Sequence, residues 1–250
     1  MSIHKEALIG GLTLILGLSA CNGPNGPAGQ ELGRDQVSGS PAVIPPNTPP
    51  ATGAGGGGPN TAKLGDTCGS TDKSQICLAL KYVVYTDSAG APVVDRPTAL
   101  ANLASINSIW SQCNIAFQID DFVELNPADY GLTYNTPTMK ELSTIRSDLS
   151  NSTELLVVTT GAWAGSWSGS ANAWTAMPSG GPFGVVLEGP VGNFGPIIAH
   201  ELGHYLNLGH VNDSSDVMNA IISTGSTGLT TQQCTDARAA AGFFWIPMSR

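Results

Sequence analysis

Three of the four histidines in this 250-residue chain fall within the eleven residues HELGHYLNLGH, His200 to His210. His200 and His204 stand one helical turn apart, so on a helix their rings project from one face. That is the geometry for two nitrogen ligands on one Zn²⁺, with Glu201 beside them to handle protons. HExxH alone is a weak signal, because two of its five positions are free. The third histidine sharpens it through reach. On a continued helix His210 would lie about 9 Å beyond His204 at ~1.5 Å per residue, pointing to a different side. It joins the same metal only if the helix stops and the chain doubles back, and Asn207 is the residue where that break falls. A left-handed residue ends many helices in this way. Glycine adopts that conformation without steric cost, and asparagine is the best of the others, because its short amide bonds locally. Gly209 further weakens helix continuation. The alternative is a longer helix with a stray His210.

With Asn207 standing at the glycine position, HELGHYLNLGH resembles the metzincin zinc-binding consensus HExxHxxGxxH. That family also carries a methionine-containing turn beneath the metal. The stretch SSDVMNA offers Met218 eight residues after His210, although a downstream methionine by itself is more often core packing. No tyrosine follows Met218, so the tyrosine ligand that some metzincins add is not implied. The gluzincin arrangement needs a glutamate ligand well downstream, and no glutamate follows Glu201. Asp213 and Asp216 stay open as formal alternatives to His210.

The resemblance implies a zinc endopeptidase. His200, His204 and His210 would hold one catalytic Zn²⁺ and leave a fourth position for water, with Glu201 as general base and a peptide or protein as substrate. It also implies an α/β (α+β) fold: a mixed, mostly parallel twisted sheet with an antiparallel edge strand, an active-site helix and a C-terminal helix. The stretch SANAWTAMP is the candidate edge, and TTQQCTDARAAAGFF the candidate C-terminal helix, with Cys234 near its start.

The order of elements agrees with such a sheet. ICLALKYVVYTD (76–87) and IAFQIDDFVEL (115–125) read as strands, the second with Ile115, Phe117 and Ile119 on one face. Leu100, Leu103, Ile106, Ile109 and Trp110 recur at helical spacing between them, behind a Pro97 suited to a first turn. Residues 139–149 read as a second helix, and ELLVVTTG (154–161) as a strand covered on both faces. SANAWTAMP and GVVLEG look like short strands around a Gly/Pro turn. Pro196 opens the HELGH helix, where its missing N–H is not needed, and Ile197, Ile198 and Leu202 supply a buried side. Strands alternating with helices point to a mixed α/β sheet. The tryptophans of GAWAGSWSGSANAW read equally as core or as cleft lining.

The chain begins with a short polar start and an apolar run from Ala7 to Leu18, too short to span a bilayer as a mature helix. LSAC, Leu18 to Cys21, resembles the lipobox of bacterial lipoproteins, in which the cysteine is lipidated and becomes the new N-terminus. Residues 1–20 are therefore expected to be a lipoprotein signal peptide and Cys21 the lipid anchor, placing the protein in the cell envelope. An ordinary secretory signal is the alternative. Residues 21–62 are Pro/Gly-rich with almost no large apolar side chains, which suits a disordered tether; an inhibitory propeptide is the second reading. Residues 63–250 suit one catalytic domain with a single core.

A formal net charge of −9 and the lack of a Lys/Arg cluster exclude nucleic acid as a partner; a monomer is expected. Besides Cys21 there are Cys68, Cys77, Cys113 and Cys234, an even number that in an exported domain reads as two disulfides. Of the three pairings, Cys68–Cys77 with Cys113–Cys234 is favoured, a zinc-inhibiting thiol at Cys68 being second. Two other function classes compete: a zinc-binding module that has lost catalysis, against which Glu201 argues, and a tethered adhesive lipoprotein.

Overall fold

The most apolar runs among the described residues form the middle of a six-stranded sheet in the computed structural model, which describes residues 36–37, 62–64, 68, 72–136, 138–164, 171–178 and 180–250. In chain order the strands are β1 (Gln36–Val37), β2 (Ala62–Leu64), β3 (Ile76–Tyr85), β4 (Ile115–Leu125), β5 (Leu155–Thr159), β6 (Ala173–Thr175), β7 (Val185–Leu187) and β8 (Ile221–Ile222). The helices of more than one turn are α1 (Arg96–Trp110), α2 (Met139–Leu149), α3 (Gly195–Tyr205) and α4 (Thr231–Phe244). The sheet runs β2-β4-β3-β5-β7-β6, with β4, β3, β5 and β7 mutually parallel and an antiparallel strand at each edge. The expected mixed, mostly parallel sheet is present, with β6 the expected antiparallel edge.

Both faces of the sheet are covered, which explains why its central strands read as continuous apolar runs. Leu78, Leu80, Tyr82 and Val84 of β3 belong to the core shared with α1 and α3, whereas Val83 and Tyr85 belong to the core under α2. In β4, Ile115, Phe117 and Ile119 share the first core, as their alternation predicts, but so does Phe122. The register slips between Leu80 and Lys81, where Ile119 and Asp121 are the consecutive partners. That bulge at Asp120 inserts one residue and moves the apolar face from odd to even positions. Trp163 and Trp174 are core residues of the α2 side, which answers the open question for those two tryptophans.

Local signals set the helix ends. Asp95 caps α1 by accepting from Thr98 N, Thr138 caps α2 by accepting from Glu141 N, and Thr230 with Gln233 forms a capping box on α4. Helix α3 has no side-chain cap and begins with Pro at its start. It is held by packing: Gly195 and all of Ile197–Tyr205 are buried. A Cβ on Gly195 would lie 2.6 Å from Ser105 Cβ, so the glycine lets α1 and α3 meet.

Both expected disulfides are formed. Cys68–Cys77 closes a short loop, and Cys113–Cys234 ties the end of α1 to α4 across 121 residues of sequence. Residues 1–20, Cys21, Trp167 and most of 21–62 lie outside the described residues. Within 21–62, β1 pairs in parallel with β8 and Ala62 begins β2. No described helix is long and apolar enough to cross a membrane.

Candidate metal centre

Helix α3 brings His200, Glu201 and His204 into the interior, each at most 1 % exposed. It then ends as the sequence demands. Asn207 has φ 64°, in the left-handed region. Asn207 N donates to His204 O at 2.9 Å and Leu208 N to Gly203 O at 2.9 Å, the two bonds of a Schellman ending. The reversed chain carries His210 back over the helix. The three imidazoles meet with centroids 4.7, 4.9 and 5.3 Å apart, and one ring nitrogen from each lies within 4.8 Å of the others. His210 is exposed while its partners are buried, so the cluster sits at the surface end of a buried helix face.

Proton placement follows from the neighbours. His200 Nδ1 donates to Val217 O at 2.5 Å, and His204 Nδ1 to Leu208 O at 2.8 Å. A carbonyl only accepts, so each Nδ1 carries a proton, and Nε2 is the nitrogen left to a metal. That is the tautomer a metal-binding histidine needs, fixed by the backbone bond that usually accompanies it. The donor set fits zinc: three imidazoles, two of them oriented by carbonyls. Asp213 and Asp216 are not in the cluster. Asp213 accepts from Ser215 N and Oγ within its own turn, which lowers its carboxyl below the ordinary value, and Asp216 accepts from Met218 N at 2.7 Å.

Met218 lies under the helix, fully buried. A Cβ on Gly203 would fall onto the Met218 sulfur and stand 3.0 Å from its Cε. The middle glycine of HELGH therefore admits the methionine, a requirement invisible until the turn is folded. The same turn steadies both outer histidines: Val217 supplies the acceptor for His200, and Val211, next to His210, donates to Met218 O at 2.9 Å. Further bonds pin α3, from Trp110 Nε1 to Ala199 O at 3.1 Å and from Trp245 Nε1 to Tyr205 O at 2.7 Å. Tyr205, beside His204, accepts the Leu156 N–H at its hydroxyl oxygen at 3.3 Å, and burial pushes the phenol above its ordinary range. It is a packing residue.

Sequence reading did not find the roles of Gly203, the Val217 and Leu208 carbonyls, Asp216 or Gln233. Only one carried a local signal: Thr230 and Gln233 have capping-box spacing.

No family model matches this chain, and among curated proteins none matches it. Among solved structures it is similar to mature mirolysin of Tannerella forsythia in complex with a cleaved peptide. The TM-score is 0.51 at 12% identity, over 66% of this chain and 91% of that one. It is also similar to metalloproteinase-II from Bacteroides fragilis, with TM-score 0.45 and 11% identity, over 72% of this chain and 57% of that one. The chain shares the mirolysin fold.

Proposed function

We propose that this chain is a zinc-dependent endopeptidase of the metzincin type, with His200, His204 and His210 holding one catalytic Zn²⁺. The observation that carries the reading is the convergence of three histidine nitrogens within 4.8 Å, with a buried glutamate on the same helix. A zinc ion so held lowers the pKa of bound water toward neutrality and polarises a carbonyl. Glu201, one residue from His200, accepts the proton of the attacking water and delivers it to the leaving amine. The carbonyls of Val217 and Leu208 fix the orientation of two of the imidazoles. An extended peptide alongside the antiparallel edge strand β6 is the substrate; mirolysin, which shares the fold, is known with a cleaved peptide.

In the same reading Cys21 is lipidated after removal of residues 1–20, and the protein works tethered to the envelope as a monomer. The test is a peptide-library digest beside a Glu201→Gln variant. The variant should retain zinc and lose hydrolysis by several orders of magnitude, since a proton acceptor is removed and all three ligands stay. Hydrolysis by Glu201→Gln at the wild-type rate removes Glu201 from the mechanism. Zinc uptake without turnover in the wild type would leave a binding module.

A further inference from the structure

Behind His200 runs a line of hydrogen bonds that leaves the metal-binding segment and ends on the C-terminal helix. His200 Nδ1 donates to Val217 O at 2.5 Å. The N–H of the same peptide group, on Met218, donates to Asp216 Oδ1 at 2.7 Å. That oxygen also receives Gln233 Nε2 from α4 at 3.1 Å. Asp216 is 5% exposed and Gln233 9%, and a carboxylate so buried needs donors. The Gln233 amide can stand only one way. Its Oε1 accepts Thr230 N–H at 2.6 Å, so its NH₂ faces Asp216. One residue further, Cys234 is bonded to Cys113, which anchors that turn of α4 to the end of α1.

We infer that Asp216 and Gln233 are positioning residues of the three-histidine centre. They hold the 217–218 peptide plane so that its carbonyl aims the His200 ring, and they make α4 part of the metal site. This rests on the reading that the histidines bind zinc. A helix-capping role for Gln233 alone makes the opposite forecast for one substitution, which allows the two to be separated. Glutamate serves as well as glutamine at this capping position, and a carboxylate in the first turn is favoured by the helix dipole. If Gln233 only caps α4, Gln233→Glu leaves zinc affinity at the wild-type value. As a positioning residue it is damaging, because two buried carboxylates then face each other without a proton between them.

The experiment measures zinc affinity by chelator competition on the full, disulfide-bonded chain, with cobalt absorption spectra reporting ligand geometry and circular dichroism reporting helix content. Loss of such an outer partner weakens metal binding by about 10–100-fold, and Gln233→Glu should fall in that range with an altered cobalt spectrum and unchanged helix content. Asp216→Asn, which keeps an acceptor for Met218 N–H, should stay close to wild type. Wild-type affinity in Gln233→Glu overturns the inference. Should Gln233→Glu not fold, Asp216→Ala decides: wild-type affinity there overturns the inference, and about tenfold weakening supports it. A wild-type chain that takes up no zinc removes the metal reading itself, and this inference with it.

Discussion

Asn207 shows how much can depend on one backbone angle. At φ 64° it performs two tasks, since the same reversal returns His210 to the cluster and presents the Leu208 carbonyl to His204. Asn207→Gly should therefore preserve zinc binding, with a small gain in stability from relieved strain. Asn207→Val should cost on the order of 1–3 kcal/mol, because a β-branched residue tolerates that region poorly. The loss should appear as weaker zinc affinity, read by titrating the metal into both variants; equal affinities would show that the turn does not need a left-handed residue. Gly203 obeys a different constraint, of space. Gly203→Ala drives a methyl into the Met218 sulfur and should destabilise by about 1–3 kcal/mol, the usual range for overpacking. Pairing it with Met218→Ala makes room, so the double variant should lose less than the sum of the singles. Denaturant midpoints of the four proteins test this, and simple additivity would mean that the two side chains do not compete.

At the scale of elements, α4 does more than complete the core. Its capping box, its Gln233 bond to Asp216 and its disulfide to Cys113 all lie in its first turn. Replacing Cys113 and Cys234 together by alanine opens a loop of 121 residues and should cost roughly 2–5 kcal/mol. Because the same turn carries Gln233, the variant should also bind zinc less tightly than its fold alone predicts. Thermal melting with and without excess zinc separates the two losses. A drop in melting temperature that zinc affinity does not share would confine the disulfide to stability. The packing of α3 makes the same point, since its ten buried residues leave no polar face of the kind an isolated amphipathic helix shows. It is helical where it is because α1, the sheet and the methionine turn surround it.

At the scale of the whole molecule, the segment before the sheet joins the catalytic reading to the proposed anchor. If Cys21 is the mature N-terminus, mass spectrometry of protein from a bacterial envelope should find an acylated fragment beginning there. A soluble form with a free N-terminus elsewhere would overturn the anchor and leave the metal centre untouched. The separation is physical: β1 meets β8, just past the methionine turn, and β2 meets the far edge of the sheet, whereas the histidine cluster and the two carbonyls that orient it belong to residues 200–217. A shared fold does not by itself assign the chemistry. The proposed chemistry therefore rests on the three histidines and Glu201, and the likeness to mirolysin carries the fold alone.

Much of this arrangement was readable from local patterns. The existence and order of β3, β4, α1 and α2 follow from apolar patterning; β5, β6 and β7 follow from short apolar runs. The left-handed conformation at Asn207 follows from a steric argument about reach. These are properties of a residue and its near neighbours, and a one-dimensional pattern records them. Tertiary structure alone decided what depends on which segments meet. The bulge at Asp120 moves the apolar face of β4 to even positions, because the register is set by β3 and not by β4. Gly203 is needed because Met218, fifteen residues later, occupies the space a side chain would fill. Val217, Asp216 and Gln233 act through a carbonyl, a carboxylate and an amide that carry no distinguishing pattern until α4 folds against the methionine turn. Ligand types can be named from spacing, because metal chemistry restricts them to a few residues. The atoms that orient those ligands are mostly backbone, which every residue supplies, so only the packed chain selects them.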